Sequence, residues 1–100
     1  MTWSVNYHPD VEDDLRSLGR VEAKVILKVI DERIVHGEPE KLGKRLTGTL
    51  SKCRRIRTGQ TRIVYQVDGD QVEILIIAVG MRRDNEIYDV ASSRIDQKQV

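Results

Sequence analysis

A chain of 100 residues, with 39% hydrophobic and 33% charged residues, has the size and composition of one folded domain over residues 1–100 and not of a disordered chain. Its 17 lysines and arginines nearly balance 16 aspartates and glutamates, and its one cysteine excludes an internal disulfide and a cysteine-based zinc site. The longest apolar run, residues 74–79, is too short to cross a membrane, and no signal-peptide pattern is visible, so we expect a cytoplasmic protein.

The first part of the chain predicts one strand followed by two helices. Apolar residues alternate with polar ones at the start, as in a strand with one buried face, at Trp3, Val5 and Tyr7. A short helix follows, which Gly19 can close, and its apolar positions are Val11, Leu15 and Leu18. A second, longer helix ends at Gly37 and Pro39, and its apolar stripe is Val25, Ile26, Val29, Ile30 and Ile34.

The second part predicts a loop, three strands and a last helix. The loop is residues 38–51, with one short turn around residues 42–46. The strands are residues 52–57, 61–67 and 71–79, and the helix is residues 86–95. Tight turns join the three strands, so they form an antiparallel meander, and Asp68-Gly69 is a typical hairpin turn. The third strand is apolar at both parities, which predicts a central strand that is buried on both faces.

The predicted order is therefore β-α-α-β-β-β-α, an α+β fold. We expect an antiparallel four-stranded sheet with the two N-terminal helices covering one face, together with a C-terminal helix.

Positive charge is concentrated on the residues from 44 to 67. This segment has seven basic side chains and no carboxylate, whereas residues 1–43 and residues 68–100 each have a net charge of −3. The seven are Lys44, Arg45, Lys52, Arg54, Arg55, Arg57 and Arg62. Such a local field attracts polyanions, and the phosphates of RNA or DNA are the commonest of these.

Strand parity places three of these arginines together. If Ile56 faces the core, then Arg55 and Arg57 point to the opposite, open face of the sheet, which Arg62 shares from the next strand. Like charges side by side repel each other, so a bound phosphate backbone would explain their placement. The alternative is a solvated face whose arginines pair with carboxylates of the helices. Arg54 has the parity of Ile56, and so lies at a strand edge or extends its charged end to solvent.

Other candidate residues lie outside this segment or lack partners. Arg82 and Arg83 follow the last strand, where Gly80 can turn the chain towards the sheet, and Tyr88 follows at the start of the last helix. Cys53 is either a packing residue or, with basic neighbours that favour the thiolate, a nucleophile. The two histidines do not match a metal-ligand spacing.

Several motifs, taken in order, resemble the RelE toxins of the RelE/ParE superfamily. The strongest are residues 57–67 (RTGQTRIVYQV), an arginine-rich hairpin that ends in tyrosine, and residues 77–88 (IAVGMRRDNEIY), a strand end followed by arginine and tyrosine. Residues 15–18 (LRSL) and 44–48 (KRLTG) also fit. The resemblance covers most of the chain and implies a small microbial-RNase-like fold.

The resemblance also implies an activity, with its site and partners. RelE toxins cleave mRNA in the A site of the ribosome, where they lie close to 16S rRNA, and an antitoxin holds them inactive and connects them to operator DNA. The implied catalytic residues are Arg55, Arg62, Arg82 and Tyr88. The basic residues implied to contact RNA or the ribosome are Lys44, Arg45, Lys52, Arg54, Arg57 and Arg83. One lysine position of the family falls on Cys53, where Lys52 or Arg54 could supply the charge.

Such a site can work without a metal or a cofactor, because RNA has its own nucleophile, the 2′-hydroxyl. We expect Arg62 to bind the scissile phosphate, with Arg55 and Arg82 beside it, and to stabilise the negative charge that develops there. Tyr88 could act as the general base or stack on an RNA base, and Lys52 could act as the acid. Two alternatives remain open: a gyrase inhibitor of the ParE type, and a non-catalytic nucleic-acid-binding module.

Overall fold

The computed structural model describes residues 3–98 and has three helices and five strands. The first part has the strand β1 (Ser4–Tyr7) and the helices α1 (Val11–Leu18) and α2 (Arg20–Val29), and α2 continues as a π-helical segment (Ile30–Val35). The strands that follow are β2 (Lys44–Arg45), β3 (Cys53–Thr58), β4 (Thr61–Asp68) and β5 (Glu73–Gly80). A 3-10 turn (Gly48–Leu50) lies between β2 and β3, and the helix α3 (Asp84–Lys98) comes last.

The five strands form one sheet in the order β1-β5-β4-β3-β2. The predicted meander is confirmed, since β3, β4 and β5 pair in antiparallel fashion. The prediction of four antiparallel strands was wrong in two details. β1 pairs parallel to β5, because the helical hairpin α1–α2 returns the chain to the same end of the sheet before the meander begins. A fifth strand, β2, has only two residues, and it lies in the segment predicted as a loop.

Helices cover both faces of the sheet. On one face, α1, α2 and the π-helical segment pack on a cluster that includes Ile26, Ile56 and Ile76, whereas on the other face α3 packs through Ile87 and Ala91. The predicted parity of β3 and β4 is confirmed, because Ile56, Ile63 and Tyr65 lie on the α1–α2 face and Val64 lies on the α3 face. As predicted, β5 is buried on both faces.

A bulge in β5 interrupts this alternation. Tyr65 pairs with Ile76 and Val64 pairs with Ala78, so Ile77 is an extra residue on β5. Both Ile77 and Ala78 consequently pack on the α3 face, and beyond the bulge Arg62 pairs with Gly80. The bulge thus determines which residues of β5 lie beside Arg62.

An ion pair joins α1 to α3 near this bulge. Arg94 donates from Nη1 to Asp14 Oδ2 (2.6 Å) and to the carbonyl of Ile77 (2.8 Å), and from Nη2 to Asp14 Oδ1 (2.8 Å). The Asp14 carboxylate also accepts the backbone N–H of Val79 (3.0 Å). The pairing of β5 with β1 ends at Ile76. Beyond this point Arg94 bonds to the carbonyl of Ile77 and Asp14 bonds to the N–H of Val79, so the two side chains replace the hydrogen-bond partners that a strand would supply.

None of the helices in the part of the chain from residue 3 to residue 98 has both the length and the apolar character that crossing a bilayer requires.

Candidate functional site

Strand register brings three arginines together on the α3 face of the sheet. Arg57 pairs directly with Arg62 across β3 and β4, and Arg55 lies two residues from Arg57 on the same face. The sequence predicted this shared face. The prediction of an open face was wrong, because α3 crosses it and leaves Arg55 and Arg62 half-buried. The alternative, in which these arginines pair with a carboxylate of a helix, is what the structure shows.

The three arginines converge on one carboxylate, that of Asp84 at the start of α3. Arg55 Nη2 lies 3.0 Å from Asp84 Oδ2, Arg57 Nη2 lies 3.4 Å from the same oxygen, and Arg62 Nε donates to Oδ1. Burial alone would raise the pKa of Asp84. The hydrogen bond from Arg62 and the charges of the three guanidiniums outweigh this effect, so the pKa lies below its usual value. Asp84 is therefore ionised at neutral pH.

Tyr88 lies one helical turn after Asp84 and completes the group that we call the arginine cluster: Arg55, Arg57, Arg62, Asp84 and Tyr88. Its phenol oxygen accepts a hydrogen bond from Arg55 Nε (3.2 Å). One guanidinium thus contacts both the carboxylate and the phenol, and the first turn of α3 lies against the hairpin of β3 and β4.

Arg82 joins this cluster only through its backbone. Its carbonyl accepts a hydrogen bond from Arg62 Nη1 (2.7 Å), whereas its side chain is exposed and forms no ion pair or hydrogen bond with the side chains described, those of residues 3–95. Arg83 is exposed as well. Of the four predicted catalytic residues, Arg55, Arg62 and Tyr88 therefore meet through their side chains. The fourth, Arg82, contributes only its backbone carbonyl in this structure.

The other predicted basic residues lie around β2 and the start of β3. Lys44 is opposite Arg55 and so shares the face of the arginine cluster, while Arg45 is opposite Arg54 on the other face. Arg45, Lys52 and Arg54 line one open pocket together with Glu40. Arg54 donates to the carbonyls of Leu42 (2.6 Å) and Gly43 (3.3 Å), so it is neither fully solvated nor free, and it holds the chain before β2.

Sequence reasoning missed Asp84 because the predicted helix began two residues later. The available signal was a general one: acidic residues are favoured in the first turn of a helix, and Asp84 and Glu86 stand there. Which carboxylate would reach the arginines depends on how α3 crosses the sheet, and the order of elements along the chain does not give this crossing.

The ion pairs of Asp84 predict an acid-sensitive stability. Because the pKa of Asp84 is lower in the folded protein than in the unfolded chain, the unfolded chain binds this proton more readily. The stabilisation that these ion pairs give the folded protein should be complete above the pKa of an unfolded aspartate, about 3.9. It should be lost as the pH falls through the lower pKa of Asp84 in the folded protein. The free energy of unfolding measured in urea should fall less between pH 6 and pH 2.5 for Asp84→Asn than for wild type. Asp89 is an exposed carboxylate on α3, so for Asp89→Asn the free energy of unfolding should fall with pH as it does for wild type.

Cys53 is a packing residue of the α3-face core. It is fully buried with Leu46, Leu50 and Val64, and burial raises the pKa of its thiol to about 11. The thiolate is therefore scarce at neutral pH, which favours the packing interpretation over the nucleophile. Alkylation by iodoacetamide at pH 8 should be at least about 10²-fold slower in the folded protein than in urea-unfolded protein. Equal rates in the two states would contradict this burial.

Among the side chains of residues 3–95, no cluster of three or more histidines, cysteines, aspartates or glutamates could hold a metal ion.

Comparison with known proteins decides the family. Residues 5–86 match the sequence model of a family described as the ParE toxin of the type II toxin–antitoxin system parDE. The chain belongs to the ParE toxin family. It is thus a type II toxin of the RelE/ParE superfamily, as the motifs of the hairpin and of the strand end predicted.

Individual relatives of this ParE-family chain carry the RelE name. A RelE-like toxin protein of Escherichia coli is 39% identical over 41 residues, which are 41% of this chain and 43% of that protein. This stretch therefore spans less than half of that relative's length.

Solved RelE structures share the fold over nearly the whole molecule. The Escherichia coli RelE toxin in the free state, as a mutant with two arginines replaced by alanine, is 26% identical with a TM-score of 0.77, and the match covers 95% of this chain and 99% of that one. The archaeal RelE–RelB complex of Pyrococcus horikoshii is 26% identical with a TM-score of 0.60, covering 80% and 94%. At 22% identity, a RelBE complex of Mycobacterium tuberculosis has a TM-score of 0.74 and covers 82% and 100%, which supports the fold alone.

Proposed function

We propose that this toxin is a ribosome-dependent endoribonuclease that cleaves mRNA in the A site and thereby halts translation. One observation carries the proposal: Arg55, Arg62 and Tyr88, from two strands and a helix, meet at one place on the surface. Two guanidiniums beside a phenol are suited to bind a phosphodiester and to exchange a proton next to it.

The proposed reaction is an attack of the RNA 2′-hydroxyl on the adjacent phosphorus. The 2′-oxygen forms a bond to phosphorus, the bond from phosphorus to the 5′-oxygen breaks, and the products are a 2′,3′-cyclic phosphate and a 5′-hydroxyl. A base removes the 2′-hydroxyl proton, and an acid gives a proton to the departing oxygen. No external oxidant or co-reactant is needed, so the chain has to supply only positioning, charge and proton transfer.

In this proposal, Arg62 and Arg55 would stabilise the charge that builds up on the phosphoryl oxygens. The planar guanidinium donates two parallel hydrogen bonds to such oxygens, and half-burial strengthens each of them. These interactions speed the reaction to the extent that they are stronger in the transition state than in the bound substrate.

Tyr88 is the proton-exchanging group that the geometry supports best. Arg55 holds its phenol oxygen at 3.2 Å, beside the guanidinium that would contact the phosphate. Asp84 is a weaker candidate for the base, because the arginines lower its pKa and so reduce its affinity for a proton. With this modest proton chemistry, the ribosome would supply much of the rate by orienting the mRNA for in-line attack.

The proposed partners follow from the same comparison. RelE proteins of Escherichia coli and Pyrococcus horikoshii have been solved in complex with RelB antitoxin or a RelB peptide. We propose that a cognate antitoxin likewise binds this chain, and that the chain reaches operator DNA only through that antitoxin. Lys44, Arg45, Lys52 and Arg83, all of them exposed, are proposed to contact the ribosome or the RNA.

A second candidate is favoured by the family model itself, which has the ParE name. A ParE-type toxin would act on DNA gyrase. The discriminating experiment is toeprinting of an mRNA translated in a purified system, alongside a gyrase supercoiling assay. New mRNA 5′ ends at A-site codons, seen as truncated cDNA, with normal supercoiling, would support mRNA cleavage. Intact mRNA with inhibited supercoiling would establish the gyrase alternative, and intact mRNA with normal supercoiling would favour a non-catalytic binding module.

A further inference from the structure

Asp84 lies where a bound phosphate would lie. Its two carboxylate oxygens accept from all three guanidiniums of the cluster, Oδ2 from Arg55 and Arg57, and Oδ1 from Arg62. A phosphodiester also presents two charged oxygens on one atom, and arginine binds carboxylates and phosphates with the same planar fork. A carboxylate with this set of partners is therefore a chemical substitute for a phosphate.

The position of Asp84 relative to solvent supports the same conclusion. The side chain of Asp84 is 30% exposed, whereas those of Arg55 and Arg62 are 13% and 18% exposed and that of Arg57 is 53% exposed. An RNA phosphate from solvent can therefore reach Asp84 more readily than it can reach Arg55 and Arg62, while Arg57 is the most accessible group of the cluster. A phosphate cannot contact these N–H donors fully while the carboxylate uses them.

The cluster keeps a net positive charge even with Asp84 in place. Three guanidiniums and one carboxylate leave a charge of +2, so an anion is still attracted. The segment before α3, residues 81–83, is exposed and has no regular structure, and α3 is held to the sheet further along by Ile87 and Ala91. Rotation of the Asp84 side chain away from the arginines therefore requires no unfolding of the helix.

We propose that Asp84 is an internal competitor for the phosphate site, which holds the three arginines in the free protein and is displaced by the RNA phosphodiester. The proposal rests on the proposed function, since it takes the arginine cluster as the site of the scissile phosphate. Its consequence is weak binding of free RNA: only RNA that is held in place at high effective concentration, as in the ribosomal A site, displaces the carboxylate readily.

The test is direct binding of a short single-stranded RNA with 2′-O-methyl groups throughout, which cannot be cleaved. Fluorescence anisotropy at one fixed low salt concentration gives the affinity. Asp84→Asn keeps the size of the side chain and removes its charge, and it should bind this RNA about 10- to 100-fold more tightly than wild type. Asp84→Ser is the second variant, in case the amide disturbs the start of α3.

Asp89→Asn is the matched control, because it makes the same change in net charge on the same helix at an exposed residue that contacts none of the three arginines. It should change the affinity less than about twofold. Adding Arg62→Ala to Asp84→Asn should abolish the gain, since the gain comes through that guanidinium.

The possible failures are distinguishable. Binding that depends on Arg62 but is unchanged or weaker in both Asp84 variants would overturn the competitor proposal and leave the phosphate site standing, with Asp84 merely positioning the arginines. Binding that is indifferent to Arg62 in every background would overturn the assignment of the phosphate site itself, and the competitor proposal with it.

Discussion

Replacing Arg62 by alanine should slow single-turnover cleavage of mRNA on programmed ribosomes by about 10²–10³-fold. Its guanidinium is half-buried and donates from Nη1 to the carbonyl of Arg82, a hydrogen bond that does not involve Asp84 and so can hold Arg62 in place while a phosphate replaces the carboxylate. A fixed donor does not have to reorganise when charge develops on the phosphoryl oxygens, and this is why we expect a large loss of rate. Quenched-flow measurement with saturating toxin reports the chemical step separately from binding.

Two further variants make this result specific. Arg62→Lys keeps the charge but loses the planar fork, so it should recover only part of the rate. Arg20→Ala removes an equal charge from an exposed position at the start of α2, outside the arginine cluster and the proposed RNA contacts, and should leave the rate nearly unchanged. Urea unfolding of each variant separates loss of activity from loss of fold. A near wild-type rate for a folded Arg62→Ala protein would exclude the proposed role of Arg62.

The convergence of the arginines was predictable because it depends on strand parity alone. A strand alternates its side chains between two faces, so the burial of Ile56 and Ile63 determines where Arg55, Arg57 and Arg62 point. The residue pattern likewise showed that β5 is buried on both faces. Both predictions use a short-range rule that does not depend on the path of the chain elsewhere.

The parts that could not be predicted depend on long-range packing. β1 pairs with β5 across the 65 residues 8–72, and the alternation of its side chains does not state which strand it joins or in which direction. The contacts of Asp84 and Asp14 likewise depend on how α3 crosses the sheet. In the sequence Asp14 looks like an ordinary acidic residue in the first turn of a helix and Asp84 lies just before the predicted last helix, and only the tertiary structure gives them arginine partners.

Arg94→Ala should destabilise the protein by about 3–5 kcal/mol, a large share of what a domain of this size has. The Arg94 and Asp14 side chains are only 12% and 13% exposed, so removing the cation leaves a nearly buried carboxylate without its partner. The hydrogen bond to Asp14 raises the pKa of Arg94 against the opposing effect of burial, so Arg94 stays charged at neutral pH. Urea unfolding monitored by circular dichroism measures the loss.

Arg16→Ala is the matched control, because Arg16 pairs with Glu12 on α1 but is 71% exposed, and it should cost less than about 1 kcal/mol. The double variant Asp14→Asn/Arg94→Ala removes both charges. It should therefore lose less stability than the two single losses added together, with a coupling of about 1–3 kcal/mol. A loss for Arg94→Ala as small as that for Arg16→Ala would show that the pair is a solvated surface contact.

Since α3 also carries Asp84 and Tyr88, a loosened α3 should reduce cleavage as well. The Arg94 pair would then stabilise the geometry of the arginine cluster from the far end of the same helix.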